Sequence, residues 1–130
     1  MPKPAQLPPL SEAQLEIMSA VWDRGEVTVG EVWNALTAHR SVARNTVQTT
    51  MMRLEEKGWL RHRADGQTFY YRAVCPRQAV LGHVVGRLVE TAFAGSAEGL
   101  VLALIQHRGL SREEAERIQA LIEKAEKKKP

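Results

Sequence analysis

Residues 43–72 read ARNTVQTTMMRLEEKGWLRHRADGQTFYYR, and this stretch decides the fold. Val47, Met51 and Leu54, with Met52 beside them, recur at helical spacing and give the segment one apolar side. Around the rest of its circumference stand Arg44, Asn45, Thr46, Gln48, Thr49 and Arg53. Such side chains reach base edges and phosphates in a DNA groove. Gly58 after Lys57 predicts the stop, because glycine accepts the left-handed conformation that ends many helices. Two strand-like runs follow, 60–64 and 68–72, with Asp65-Gly66 between them as a two-residue hairpin signal. In the second run Phe69 and Tyr71 share one face, turned to the helices, and Tyr70 leans the other way. A polar recognition-type helix followed by an arginine-bearing hairpin is the layout of a winged helix-turn-helix.

Upstream, Ser11 with Gln14 makes a capping-box pattern that opens a first helix ending at Gly25. Leu15, Met18 and Trp22 form its apolar stripe, with Ile17 and Val21 alongside. Thr28 with Glu31 repeats the pattern and opens a second helix that buries Val29, Val32, Trp33 and Leu36. Only a short turn at Ser41 and Ala43 separates it from the third, which makes the two a helix-turn-helix pair. The segment 26–28 can add a third strand.

Downstream of Pro76, which suits a first helical turn, the character changes. A helix of about five turns carries Val80, Leu81, Val84, Val85, Leu88, Val89 and Phe93 as a broad apolar stripe. Gly95 and Gly99 bracket a break, LVLALIQH forms a short apolar helix, and Ser111 caps the last. That last helix opens on Glu113, Glu114 and Glu116 and closes on Lys124, Lys127, Lys128 and Lys129, matching the helix dipole. Gly82 and Gly86 form a close-packing pattern. Three helices in roughly fifty residues cannot bury so wide a stripe alone. Packing on a second copy would cover it, and so would folding back on the N-terminal domain. A symmetric dimer suits a reader of palindromic DNA. The expected dimerisation residues are Val80, Leu81, Val84, Leu88, Leu100, Leu104, Ile118, Leu121 and Ile122. The organisation predicted is thus a flexible leader at 1–10, a winged helix-turn-helix at 11–75 and a helical dimerisation domain at 76–130, a mainly α fold with a small β-hairpin wing.

The composition, 44% hydrophobic and 25% charged, is that of an ordinary folded protein. The net charge of +3 says little, but residues 40–72 hold seven Arg and Lys against three acids. The positive excess therefore sits on the helix-plus-hairpin segment, as a phosphate-binding face requires. The single cysteine, Cys75, excludes an internal disulfide and fits a reducing cytoplasm. A redox role for it would require a lowered pKa. No apolar run reaches transmembrane length, and the Pro-rich start has no signal-peptide core. His39, His62, His83 and His107 are scattered without ligand spacing, so no metal site or cofactor is expected. No nucleophile–base pair, phosphate-cradling loop or carboxylate cluster points to an enzyme. Trp22, Trp33 and Trp59 lie on apolar faces or at a strand start and read as core.

The order and spacing of LSEAQLEIMSAVW, VGEVWNAL, NTVQTTMMRLEEKGWL, FYYRAV and GLVLALIQHRGLSREEAERIQALIEK resemble the penicillinase-repressor family (BlaI/MecI/CopY type) of bacterial transcriptional repressors, over residues 10–127. The resemblance implies a homodimer that holds two winged helices over an inverted repeat, often of TACA/TGTA half-sites, and blocks the promoter; the lone cysteine and the absence of a long apolar run predict a cytoplasmic location. It places recognition-helix contacts on Asn45, Thr46, Gln48, Thr49 and Arg53, and wing contacts on Arg61, Arg63 and Gln67. Asn45 and Gln48 stand where several members have Lys or Arg, which favours adenine-type contacts; Arg44 restores charge one position earlier. Antibiotic-responsive members are cut by a membrane sensor protease at an Asn-Phe bond within the segment matching LVLALIQH. Here the bond is Ala103-Leu104, so that signal is missing. The paired cysteines of copper-responsive members are missing too. Without the resemblance, a winged-helix protein-interaction module that binds no DNA is the alternative, and it would more often present an apolar patch on the third helix.

Overall fold

The computed structural model describes residues 2–128, with the backbone alone for Lys127 and Lys128; Lys129 lies outside the described residues. The elements run α1 (Glu12–Arg24), β1 (Glu26–Val27), α2 (Val29–Thr37), α3 (Arg44–Glu56), β2 (Leu60–Asp65), β3 (Thr68–Ala73), α4 (Arg77–Ala92), α5 (Ala97–His107) and α6 (Arg112–Lys128). Both capping boxes form. Ser11 Oγ accepts from the Gln14 amide at 3.1 Å while Gln14 Oε1 accepts from the Ser11 amide at 2.9 Å. Thr28 and Glu31 repeat this at 3.1 and 2.9 Å. Helix α3 ends as the sequence predicts. Gly58 has φ +97°, its amide donates to Glu55 O at 3.0 Å, and the Trp59 amide donates to Leu54 O at 2.9 Å. That pair of bonds is the Schellman closure, and it aims the chain into β2.

The sheet has the order β1-β3-β2, all antiparallel, so the short 26–27 segment does add a third strand. The wing differs in detail from expectation. Asp65 pairs with Thr68, so the two loop residues are Gly66 and Gln67, not Asp65 and Gly66. Gly66 alone of the two has positive φ, +63°, which fits a turn with glycine in its first central position. The strands are correspondingly longer than expected, reaching Asp65 and Ala73.

A single cluster of buried side chains lies under these elements: Ile17, Met18 and Val21 of α1, Val32 and Leu36 of α2, Val47, Met51 and Leu54 of α3, Leu60 and Tyr71 of the wing, and Val80 of α4. Three details depart from the pattern reading. The buried side of α1 runs through Ile17, Met18, Ala20 and Val21, with Leu15 and Trp22, expected in the stripe, half-buried at its edge. Met52 is 50% exposed, because one residue past Met51 rotates it about 100° around the helix. Phe69 is 44% exposed although it shares a strand face with buried Tyr71.

The three tryptophans each donate their ring N–H to a backbone carbonyl: Trp22 to Cys75 at 2.9 Å, Trp33 to Val42 at 2.8 Å, Trp59 to Pro8 at 3.0 Å. They are structural fasteners with apolar bodies and satisfied polar ends. The last of them, with other contacts, ties the segment expected as a flexible leader to the first unit. Pro4–Gln6 form a 3-10 turn, Leu7 and Leu10 pack on the core, and the Cys75 thiol donates to Pro2 O at 3.3 Å. Half-buried Leu7 and Leu10 and a ring N–H that needs a partner contact a segment whose composition alone suggested freedom.

The chain divides into two compact units, Met1–Val85 and Gly86–Pro130. The division falls within α4, nine residues beyond Pro76, because Val80 is buried in the first unit's core and Val84 packs against it. The second unit holds the rest of α4, α5 and α6. Helix α5 starts three residues earlier than expected, since Ser96 caps it by accepting from the Gly99 amide at 2.9 Å; Gly99 thus lies inside the helix and the break is at 93–96. No described residue of this unit is buried. Val101, Leu102, Leu104, Ile105, Leu121 and Ile122 are each 46–65% exposed. No single helix among the described residues is long and apolar enough to cross a membrane.

The adjacent methionines of α3 make a direct test of its seating. Met51→Ala should lower unfolding stability by about 2–5 kcal/mol, the range for large-to-small changes in a packed core. Met52→Ala should change it by less than about 0.5 kcal/mol. Urea denaturation followed by circular dichroism measures both.

Candidate nucleic-acid interface

Helix α3 sits with Val47, Met51 and Leu54 each at 0% exposure. The 3.6-residue repeat then fixes what faces solvent. Arg44, Asn45, Thr46, Gln48, Thr49 and Arg53 are all exposed. The structure therefore brings together, on one helix, all six side chains singled out from the sequence there. Ala43 occupies the N-cap and supplies no side-chain cap; the Thr46 amide turns back to the Ala43 carbonyl at 3.1 Å, which leaves the Arg44 and Asn45 amides at the helix start.

The wing tip closes one side of this surface. Arg44 and Gln48 of α3, Gln67 of the turn, and Thr28, Phe69 and Tyr71 line a common cleft. A second cleft further along α3 runs between Met52 and Glu55 on one wall and His62 and Phe69 on the other. Gln67 thus joins the recognition-helix residues.

Arg61 and Arg63 do not. His62 bonds to Glu55 of α3, so the even-numbered side of β2 faces that helix and the two arginines project from the opposite side of the sheet. Arg63 is engaged there. Its Nε and Nη2 donate to Glu26 at 2.9 and 2.8 Å, and its guanidinium lies 4.6 Å from the centroid of the Tyr70 ring. Arg61 stands opposite Arg72 across the β2–β3 pair. The family resemblance names both arginines as wing contacts, and the structure sets them on the sheet face away from α3.

The hydrogen bonds from Arg63 hold the Glu26 carboxyl below the usual carboxylate range. Arg40 does the same for Glu16, donating from Nη2 at 2.7 Å. Burial pushes the Cys75 thiol up, away from the reactive thiolate that a redox role would need.

Of the expected dimerisation residues, Leu81, Leu88, Leu104, Leu121 and Ile122 are exposed, and Val84, Leu100 and Ile118 are half-buried. Val80 is 1% exposed and is spent on the intrachain core. Val85, Val101, Leu102 and Ile105 are exposed apolar groups absent from the expected set.

A helix-turn-helix whose second helix turns a polar, cationic side to solvent, flanked by a two-stranded wing, defines a winged-helix DNA-binding protein. The sequence pattern of the penicillinase repressor family matches residues 10–124, and the chain belongs to that family. It is 25% identical over 124 residues to the penicillinase repressor of Bacillus licheniformis, covering 95% of this chain and 97% of that one. It is 29% identical over 113 residues to the transcriptional regulator BlaI of Mycobacterium tuberculosis, covering 85% and 82%. The solution structure of the DNA-binding domain of the repressor BlaI superposes with a TM-score of 0.51 at 30% identity, over 56% of this chain and 89% of that one. The oxidized form of MarR from E. coli shares the fold over 89% of this chain and 75% of that one, with a TM-score of 0.52 at 17% identity. The protein is a DNA-binding transcriptional repressor and not an enzyme.

Replacing Arg63 tests its placement. A depressed carboxyl stabilises the fold above its unfolded-state pKa, and the gain is lost as pH falls through the folded-state value. Arg63→Met should lower the thermal midpoint at pH 7, and the deficit should shrink below about pH 4 as Glu26 is protonated in both states. Thermal melts across pH check this.

Proposed function

We propose that the repressor acts as a cytoplasmic homodimer that lays two copies of α3 into successive major grooves of an inverted-repeat operator and blocks transcription. The observation that carries this is the exposed side of α3, where Asn45, Gln48 and Thr49 sit beside Arg44 and Arg53. Amides read adenine edges, and guanidinium groups take guanine edges or phosphates. The uncapped N-terminus of α3 adds amides for a backbone phosphate. Gln67 at the wing tip contacts the flanking backbone. A protein-docking face would present a contiguous apolar patch on α3, and Met52 is the one exposed large apolar residue there.

The second unit supplies the dimer. It exposes apolar residues on α5 and α6 and buries none among its described residues, a condition that a second copy relieves. Two-fold symmetry of the dimer then matches two-fold symmetry of the site. The family's cleavage position carries Ala103-Leu104 here, so a membrane sensor protease that acts on this chain must recognise a different bond.

The reading is tested by fluorescence anisotropy with DNA upstream of the protein's own gene against a scrambled duplex, at several salt concentrations. Binding should be preferential, at two chains per site. Arg53→Ala should weaken it and lower the log–log salt slope by about 1, one released counterion. Equal affinity for both duplexes would move the weight to the interaction module. Leu104→Asp with Leu121→Asp should give a monomer in sedimentation and weaken operator binding at least tenfold or so, through lost bivalency.

A further inference from the structure

The wing is a lever. Its root is fixed, since Leu60 is 1% and Tyr71 2% exposed. Beyond the root the hairpin projects, and Arg63, Ala64, Asp65, Thr68 and Phe69 are all exposed. From His62 to Gln67 is five residues, roughly 17 Å of extended strand. A rotation of about 10° at the root therefore moves the tip by about 3 Å, enough to unmake a contact that phosphates or bases require. Something must set the angle between wing and recognition helix.

One pair of residues spans that gap. Glu55, in the last turn of α3, accepts from the backbone amide of His62 at 3.1 Å, and its carboxylate lies 2.7 and 2.8 Å from His62 Nδ1. The imidazole is in turn stacked on Phe69 of the neighbouring strand, centroids 4.1 Å apart, and tilted against Tyr71 at 5.4 Å. Both side chains are about 30% exposed, so the bonds are partly shielded from water. One carboxylate thus grips the backbone and side chain of β2, and the imidazole carries the constraint across to β3. The same groups form the walls of the cleft that opens toward Gln48.

We propose that Glu55 and His62 are positioning residues for DNA recognition: together they hold the wing at the angle from α3 that lets Gln67 and the α3 side chains meet one operator half-site at once. In this role neither residue needs to touch DNA. The inference rests on α3 and the wing tip being the reading surface. Two substitutions dissect it. His62→Phe keeps a ring on Phe69 and the backbone bond to Glu55 but removes the side-chain bond, and His62→Asn keeps a donor at the Nδ1 position and removes the ring. Glu55→Ala removes both bonds.

The experiment measures affinity for a duplex carrying the inverted repeat that the protein protects upstream of its own gene, and for a scrambled duplex, together with the thermal midpoint of each variant. His62→Phe should bind the operator up to about tenfold more weakly, the most that one charge-assisted hydrogen bond can contribute through pre-organisation. Glu55→Ala, which loses the backbone bond as well, should lose at least as much as His62→Phe. Binding to the scrambled duplex should change less than about twofold, because the phosphate-neutralising charges are retained. The double variant should be no weaker than Glu55→Ala alone, and His62→Asn should lose less than His62→Phe. Equal losses on both duplexes, or undiminished operator preference in Glu55→Ala and His62→Phe, would overturn the positioning role. If the unaltered protein itself showed no preference for the operator, the reading surface rather than the pair would be at fault.

Discussion

The burial of Val47, Met51 and Leu54 is the constraint on which the structure's function depends. These three side chains lock the rotation of α3 about its own axis. With that rotation fixed, the helical repeat alone turns Asn45, Thr49 and Arg53 outward. The specificity of the surface is therefore set from beneath. A slip of one residue would carry every outward group about 100° around the helix and leave no shared reading face. The Schellman closure at Gly58 extends the same control, since the residue that ends α3 also aims the strand that becomes the wing.

Much of this was legible in the sequence, and for identifiable reasons. Capping boxes, a glycine stop and a 3.6-residue apolar repeat are local, so helices α1 to α3 and their starts followed from near neighbours in sequence. The six exposed residues of α3 followed from the same repeat. What was not legible depended on contacts distant in sequence. The leader's attachment needs Trp59, fifty-one residues away from Pro8. Val80 was assigned to a dimer face because its periodicity matches Leu81 and Val84, yet only the tertiary arrangement places it in the core of the first unit. The turn register shifted by one residue, and Arg61 and Arg63 could be assigned to a sheet face only once the partner of His62 was known. The Glu55–His62 pair carries a weak sequence signal, an acid and a histidine flanking a glycine stop, which many surfaces share.

The two units answer different physical demands. The first closes its own core and leaves outside it a polar, cationic surface, an arrangement that stands by itself in water. The second leaves large aliphatic side chains exposed on two amphipathic helices and draws on none of them for a core of its own. A repressor needs both properties: a rigid reading head, and a means of joining two such heads so that modest single-site affinities combine. Helix α4 belongs to both units, its first half seated by Val80 and its second half part of the other assembly.

The central claim is that the outward side of α3 is what meets DNA, and amide chemical-shift changes read this residue by residue. The protein, titrated with the duplex it protects upstream of its own gene, should show its largest shifts at residues 44–53 and 66–68, with α5 and α6 nearly silent. Shifts concentrated on α5 and α6, or on the opposite sheet face around Arg61 and Arg72, would contradict the account.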